Sequence, residues 1–205
     1  MIIIFGALRL SPRAYLPLAP DNPEEVSPYL THKLGPDFFN QAQLYEPFEL
    51  VIEQQGLNDI ISRGDWPQQF GEVVASTPMI VFENGTIYLM SRISSYGMSS
   101  MLTITARPTQ DEKGRVNMNI LSVRLGLLPF TSIAARLAEK AVDDAADELA
   151  DYPELKPILQ ALISNTSFEP VFCISKQRVW VRRFSLEPGL LRLQMVPENK
   201  AVYKY

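Results

Sequence analysis

The chain has one cysteine, Cys173, one histidine, His32, only 10 glycines in 205 residues, and a formal net charge of −4. A lone cysteine forms no internal disulfide, and a lone Cys/His pair leaves no ligand set for a structural zinc. The near-balanced, slightly acidic charge lacks the concentrated basic stripe that displaces counterions from phosphates, which argues against a nucleic-acid partner. Also missing are a glycine-rich phosphate loop, a nucleophile elbow, spaced histidine pairs and a dinucleotide fingerprint. The expectation is a protein that is not an enzyme and carries no cofactor and no metal. Cysteine poverty suits a reduced cytoplasm and a disulfide-free extracytoplasmic domain equally.

Long hydrophobic runs are absent too. Met1 to Leu8 is apolar but far short of the roughly 20 residues of a membrane-spanning helix, and no basic residues precede it as in a secretory signal. It reads either as a buried or interfacial segment or as the stub of a membrane anchor. Seven prolines follow between Ser11 and Pro47, denying donors to any ladder and interrupting helices. Residues 1–47 thus read as an apolar stub and a proline-rich arm, either a spacer or a strap laid over the domain by Tyr15, Leu16, Tyr29, Leu30, Phe38 and Phe39. Residues 48–205 read as one α+β domain.

What is present is mostly β pattern. In Phe48 to Glu53, Phe48, Leu50 and Ile52 alternate with Glu49, Val51 and Glu53, and a short helix follows with Leu57, Ile60 and Ile61 expected inward. Val73 to Glu83 and Thr86 to Ile93 flank Asn84-Gly85, the pair best suited to a type I′ hairpin turn. That turn sets Phe82 opposite Ile87 and Ile80 opposite Leu89 on one side, with Val81 opposite Tyr88 and Met79 opposite Met90 on the other. Both sides are apolar, so each requires a cover. A second hairpin, Met98 to Pro108 with Arg115 to Leu125, groups Leu102, Ile104, Ala106, Met118 and Ile120. Its apolar phase slips between Ile120 and Leu121, which predicts a β-bulge. Thr131 or Ser132 caps a predicted alanine-striped helix to about Tyr152, a short helix covers Leu155 to Ser164, and three last strands form a meander.

Few residues carry a chemical signal. His32 in the arm reads as an ordinary surface or packed histidine, and Cys173 as an inert buried thiol. Asp143, Asp144, Asp147, Glu148 and Asp151 fall on the wet side of the predicted long helix. Lys176, Arg178, Arg182, Arg183 and Arg192, interleaved with Trp180 and Phe184, either protect strand edges or meet an anionic head group. Methionines in the central strands fill a core or line an adaptable apolar surface.

Taken in order, the strand at Phe48, the Gly56-Leu57-Asn58 turn, the Asn-Gly hairpin, the Gly114-Arg115 hairpin and the Gly126-Leu127-Leu128-Pro129 segment before the long helix resemble the small bacterial TULIP-like proteins, membrane-anchored and related to the YpmS type. The resemblance covers about residues 48–196. It implies a highly curved antiparallel sheet of meander hairpins wrapped on one long amphipathic helix, an apolar groove between them, lipid binding or transfer, and an N-terminal anchor of which this chain has only a stub. The groove is expected to be lined by Ile80, Phe82, Ile87 and Leu89 from the first hairpin and Leu102, Ile104, Met118 and Ile120 from the second. Ile133, Leu137 and Ala141 would roof it. Expected partners are a lipid or other apolar small molecule, a membrane surface reached from its extracytoplasmic side, and a second copy of the chain. The other reading is a structural or protein-interaction module that oligomerises through the face bearing Val81, Tyr88 and Met90.

Overall fold

Glu83 pairs directly with Thr86, so Asn84 and Gly85 alone close the hairpin between β4 (Met79–Glu83) and β5 (Thr86–Ser95). Gly85 has a left-handed φ of 66° while Asn84 does not, so the turn differs from the type I′ form, in which both residues would be left-handed. The expected register holds: Ile80 faces Leu89, Phe82 faces Ile87, Val81 faces Tyr88 and Met79 faces Met90.

The structure, a computed structural model, describes residues 15–131, 155–174 and 177–198. Among them the fold is α+β and dominated by antiparallel strands. The expected long helix, residues 132–152, lies outside the described residues, as do residues 1–8 and the acidic positions from Asp143 to Asp151. No described helix is long and apolar enough to cross a membrane.

The larger sheet contains β2 (Gln68–Phe70), β3 (Val73–Ala75), β4, β5, β6 (Met98–Ala106), β9 (Ile120–Leu125) and β10 (Leu128–Pro129). Its order is β10-β9-β6-β5-β3-β2, with β4 beside β3 on the same flank of β5. A single strand from Val73 to Glu83 was expected. Two form instead, because Pro78 has no N–H to give and the chain steps off the ladder at Ser76, whose N–H returns to Arg92 O at 2.8 Å. The second hairpin is divided likewise: β7 (Thr109–Gln110) and β8 (Val116–Asn117) form a separate two-stranded ribbon at its end. The predicted bulge is there. Thr105 pairs with Ser122 but Ala106 with Ile120, which leaves Leu121 exposed and turns Ile120 to the face of Val123 and Leu125.

The smaller sheet has the order β1-β13-β12-β11, from β1 (Phe48–Glu53), β13 (Leu190–Pro197), β12 (Gln177–Glu187) and β11 (Val171–Ile174). Its inner side buries Leu50, Val179, Val181, Leu193 and Met195 against Ala42. Full burial of each larger side chain contributes about 1.5–3 kcal/mol. Ala42 ends α1 (Gly35–Ala42), which continues a π-helical turn, Leu30–Leu34. The proline-rich stretch is therefore partly helical, because Pro36 sits in the first turn of α1, where a missing N–H costs nothing. Phe38 on α1 meets Phe48 with ring centroids 6.1 Å apart and Phe172 edge-on at 6.2 Å.

Backbone bonds join the sheets. Gly189, in the turn between β12 and β13, donates to Phe82 O at 3.1 Å, and Gly85 donates to Leu186 O at 3.3 Å. The expected inward side of α2 (Gln54–Ser62) needs correction: Leu57, Ile60 and Ile61 are half-buried, whereas Gly56, Asn58 and Ser62 are buried. This helix lies against the open edge of β4, where main-chain donors and acceptors want polar partners more than apolar ones. Gln54 Oε1 accepts from Phe82 N at 2.7 Å, one turn from Asn58, which bonds Ile80. The third described helix, α3 (Leu155–Ile163), precedes an exchange of main-chain bonds between Phe168 and Val116.

Candidate functional site: an apolar sheet face

Two-residue alternation and antiparallel pairing decide which side chains of the larger sheet stand together. One transverse row reads Ile80, Leu89, Ile104 and Val123; the next reads Phe82, Ile87, Ala106 and Ile120; a third holds Ser91, Leu102 and Leu125. Directly opposed side chains have Cβ atoms about 5 Å apart, so the three rows make one apolar area. Phe82, Ala106 and Val123 are buried, while Ile80, Ile87, Leu89, Leu102, Ile104 and Ile120 are half-buried. Such a face retains apolar surface that a guest of matching shape would take out of water.

Seven of the eleven expected lining residues thus share one face: Ile80, Phe82, Ile87, Leu89, Leu102, Ile104 and Ile120. Met118 does not join them in the ladder. It lies in the two-residue link between β8 and β9, beside Asn119, whose φ of 42° turns the chain. Ile133, Leu137 and Ala141 lie outside the described residues.

The reverse face carries Met79, Val81, Tyr88, Met90, Met101 and Thr103. Met90 is fully buried, and Met101 and Thr103 nearly so. Thr103 Oγ1 is buried without a hydrogen-bond partner. Arg92 and Arg124 flank this side, both exposed.

The strap reading of residues 15–29 has specific contacts behind it. Tyr15 OH donates to Thr77 O, and burial pushes its phenol pKa up. Ser27 Oγ donates to Asp59, Tyr29 OH accepts from Glu53 N at 2.8 Å, and Arg63 Nη1 donates to Asn22 O at 2.8 Å and Glu25 O at 3.0 Å. An open cleft of about 650 Å³ lies along this strap, lined by Val26, Leu30, Ile60, Arg63 and Trp66. A second, about 620 Å³, runs between α3 and the edge of the smaller sheet, past Ile158, Ala161, Phe168, Val171 and Arg178. Sequence reasoning found neither: the first joins segments roughly 40 residues apart, and the second depends on how α3 and the chain after it fold back on the sheet edge, which periodicity does not specify.

Three of the five basic residues singled out in the sequence have neighbours that account for them, and Lys176 lies outside the described residues. Arg178 and Arg182 lie over the Trp180 ring, 5.0 and 5.8 Å from its centroid, and Arg192 bonds Glu49 at 3.0 Å and Glu187 at 3.2 Å. Both carboxylates hold the Arg192 guanidinium more firmly protonated than usual. Cys173, expected to be buried, is exposed, since β11 is an edge strand and Cys173 pairs with Arg178 on its outer side. His32 is exposed and its Nδ1 lies 3.3 Å from Thr31 Oγ1. No group of three metal-ligating side chains occurs among the described residues. No family model, no curated protein and no solved structure matches the chain.

Proposed function

We propose that this protein is a non-enzymatic binder of lipid, or of another elongated apolar molecule, working beside a bacterial membrane. The observation behind this reading is the row Ile80, Leu89, Ile104 and its neighbours, a contiguous apolar area left half-buried in the middle of a sheet. Each acyl methylene laid on it would contribute about 0.8 kcal/mol, so a chain of ordinary length needs few polar contacts to be held. The TULIP-like resemblance supports the same reading, with Ile133, Leu137 and Ala141 as the roof, and supports placing the domain on the extracytoplasmic side. Oligomerisation through Val81, Tyr88 and Met90 draws less support, because Met90 is already buried within one chain.

The test is mass spectrometry of organic extracts from protein purified without detergent. A stoichiometric lipid is expected in the wild type and its loss in Leu89→Lys and Ile104→Lys, each shown to be folded by circular dichroism. A wild-type extract empty of lipid overturns the reading.

A further inference from the structure

In the ladder β10-β9-β6-β5-β3-β2 every neighbouring pair is antiparallel, so β2, β5 and β9 all run toward the same end of the sheet. The turns that follow β2 and β5, at Gly71-Glu72 and Tyr96-Gly97, are level with each other, because Val74 pairs with Ser94 and Ser95 with Met98, whereas the turn after β9, at Gly126-Leu127, stands about four residues back, since Leu125 pairs with Leu102 and Leu102 with Ser91. With strands about 4.8 Å apart, the two level turns stand about 10 Å from each other. Each presents apolar side chains to solvent: Phe70 is 59% exposed at one, and at the other Tyr96 is 79% and Met98, just past Tyr96-Gly97, 52% exposed. At the other end of the sheet the tight turn is Asn84-Gly85, without an apolar side chain.

Tyr96 is also an unusual choice for its position. Its φ is 49° and that of Gly97 is 75°, a pair of left-handed residues for which asparagine and glycine are the ordinary occupants. A β-carbon in that region is strained, and here the strain holds an aromatic ring in solvent, where it contributes nothing to the core.

We propose that this end of the larger sheet docks on a lipid bilayer, the two level turns entering the interfacial layer. Tyrosine and phenylalanine at separate tips suit the boundary between head groups and acyl chains, whereas a protein partner would ask for one continuous patch. Charge favours the same occupant: exposed Arg92 stands four residues behind Tyr96, from where its long side chain can extend toward lipid phosphates, and Glu72 is the acidic residue in the two level turns. Continuity favours it as well. Met98 pairs with Ser95 and Phe70 with Val73, on the same side of the sheet as Leu102 and Leu89, so the apolar face runs out to the docking end and a lipid could pass between bilayer and protein along it. This inference rests on the membrane-apposed part of the function proposed above and adds the contact surface and orientation.

The test is flotation of the full chain with phosphatidylcholine vesicles and with equimolar phosphatidylcholine–phosphatidylglycerol vesicles. Wild type is expected to float with both and better with the anionic ones. Tyr96→Asn should weaken partitioning about tenfold, and the triple substitution Phe70→Ser, Tyr96→Asn, Met98→Ser about a hundredfold or more. Arg92→Gln should reduce the preference for anionic vesicles alone. Because asparagine tolerates the left-handed turn better than tyrosine, Tyr96→Asn must melt no lower than wild type, which separates docking from folding. Equal flotation of wild type and the triple variant overturns the proposal. So does self-association in solution that the triple variant abolishes while wild type ignores vesicles, which would assign the tips to a second copy. Flotation reads the tips and extracted lipid reads the face, so either idea can fail alone.

Discussion

Asn58 holds Ile80 by both of its main-chain polar groups: Nδ2 donates to Ile80 O at 2.8 Å and Oδ1 accepts from Ile80 N at 2.7 Å. A primary amide is the side chain that can do both at once, and here it takes the place of a neighbouring strand. Gln54, one helical turn earlier, accepts from Phe82 N at 2.7 Å, so α2 closes an edge of the larger sheet that would otherwise be open to other chains.

Asn58→Ala should therefore cost about 2–4 kcal/mol in denaturant unfolding, because it leaves a donor and an acceptor of β4 without partners. Asn58→Asp is more informative. The new carboxylate can still accept from Ile80 N, but its charge would face Ile80 O in a buried site, which raises its folded-state pKa above the ordinary value of about 3.9. A raised folded value means the variant is least impaired below about pH 4 and loses stability as pH rises through the folded pKa. Parallel pH profiles for variant and wild type would refute this account of the clamp.

Gly56 and Tyr29 make a second close pairing. A β-carbon at Gly56 would collide with the Cγ and Cδ atoms of the Tyr29 ring, and that ring is anchored by Glu53 N–H donating to its hydroxyl at 2.8 Å. Gly56→Ala is expected to destabilise by about 1–3 kcal/mol in the wild-type background. In a Tyr29→Ala background the same change should be neutral or stabilising, since alanine gains up to about 1 kcal/mol over glycine within a helix. A double-mutant cycle measured by urea unfolding reads this coupling, and additivity of the two changes would count against it.

These two contacts show what local pattern conveys and what it does not. Ile80 opposite Leu89 and Phe82 opposite Ile87 were legible because a two-residue turn leaves one register for alternating strands, and the slip of apolar phase at Leu121 announced the bulge. The side-by-side placement of most of the candidate face followed. Asn58 was not recognised as a strand surrogate, since a polar residue on a short helix looks the same in sequence whether it meets water or a backbone edge. The left-handed turn at Tyr96 was passed over because tyrosine is not a turn residue. Pairing of Phe48 with Met195 could not be seen either: periodicity identifies a strand without identifying a partner so distant along the chain.

Arg63 is the clasp of the strap. Its Nη1 donates to Asn22 O and Glu25 O, and its Nε to Asp59 Oδ1 at 3.1 Å, where Asp59 also accepts from Ser27. Charged hydrogen bonds of this kind contribute about 1.5–3 kcal/mol each when poorly hydrated. Arg63→Ala should release residues 15–26 while leaving the sheets intact. Limited proteolysis is expected to cut this segment first, with amide exchange in β5 and β12 unchanged. Protection of residues 15–26 equal to wild type would show that Tyr15 and Tyr29 hold the strap without the clasp.

Asp111 gives a pH prediction whose cause can be separated experimentally. Its Oδ1 accepts from Arg115 N and Lys113 N, each at 2.9 Å, and its Oδ2 from Arg115 Nε at 2.8 Å, so the loop between β7 and β8 closes around one carboxylate. The backbone N–H of Arg115 is the largest influence holding its pKa below the usual carboxylate range, ahead of the guanidinium of the same residue. A folded value lowered relative to the unfolded one means that the stabilising contribution is complete above about pH 4 and lost as pH falls through the lowered value. Carbon-13 titration of the Asp111 carboxyl should therefore show a depressed midpoint in wild type. Arg115→Gln removes the guanidinium and retains the N–H, so part of the depression should persist; a return to the ordinary aspartate value would move the cause from the backbone to the side-chain charge.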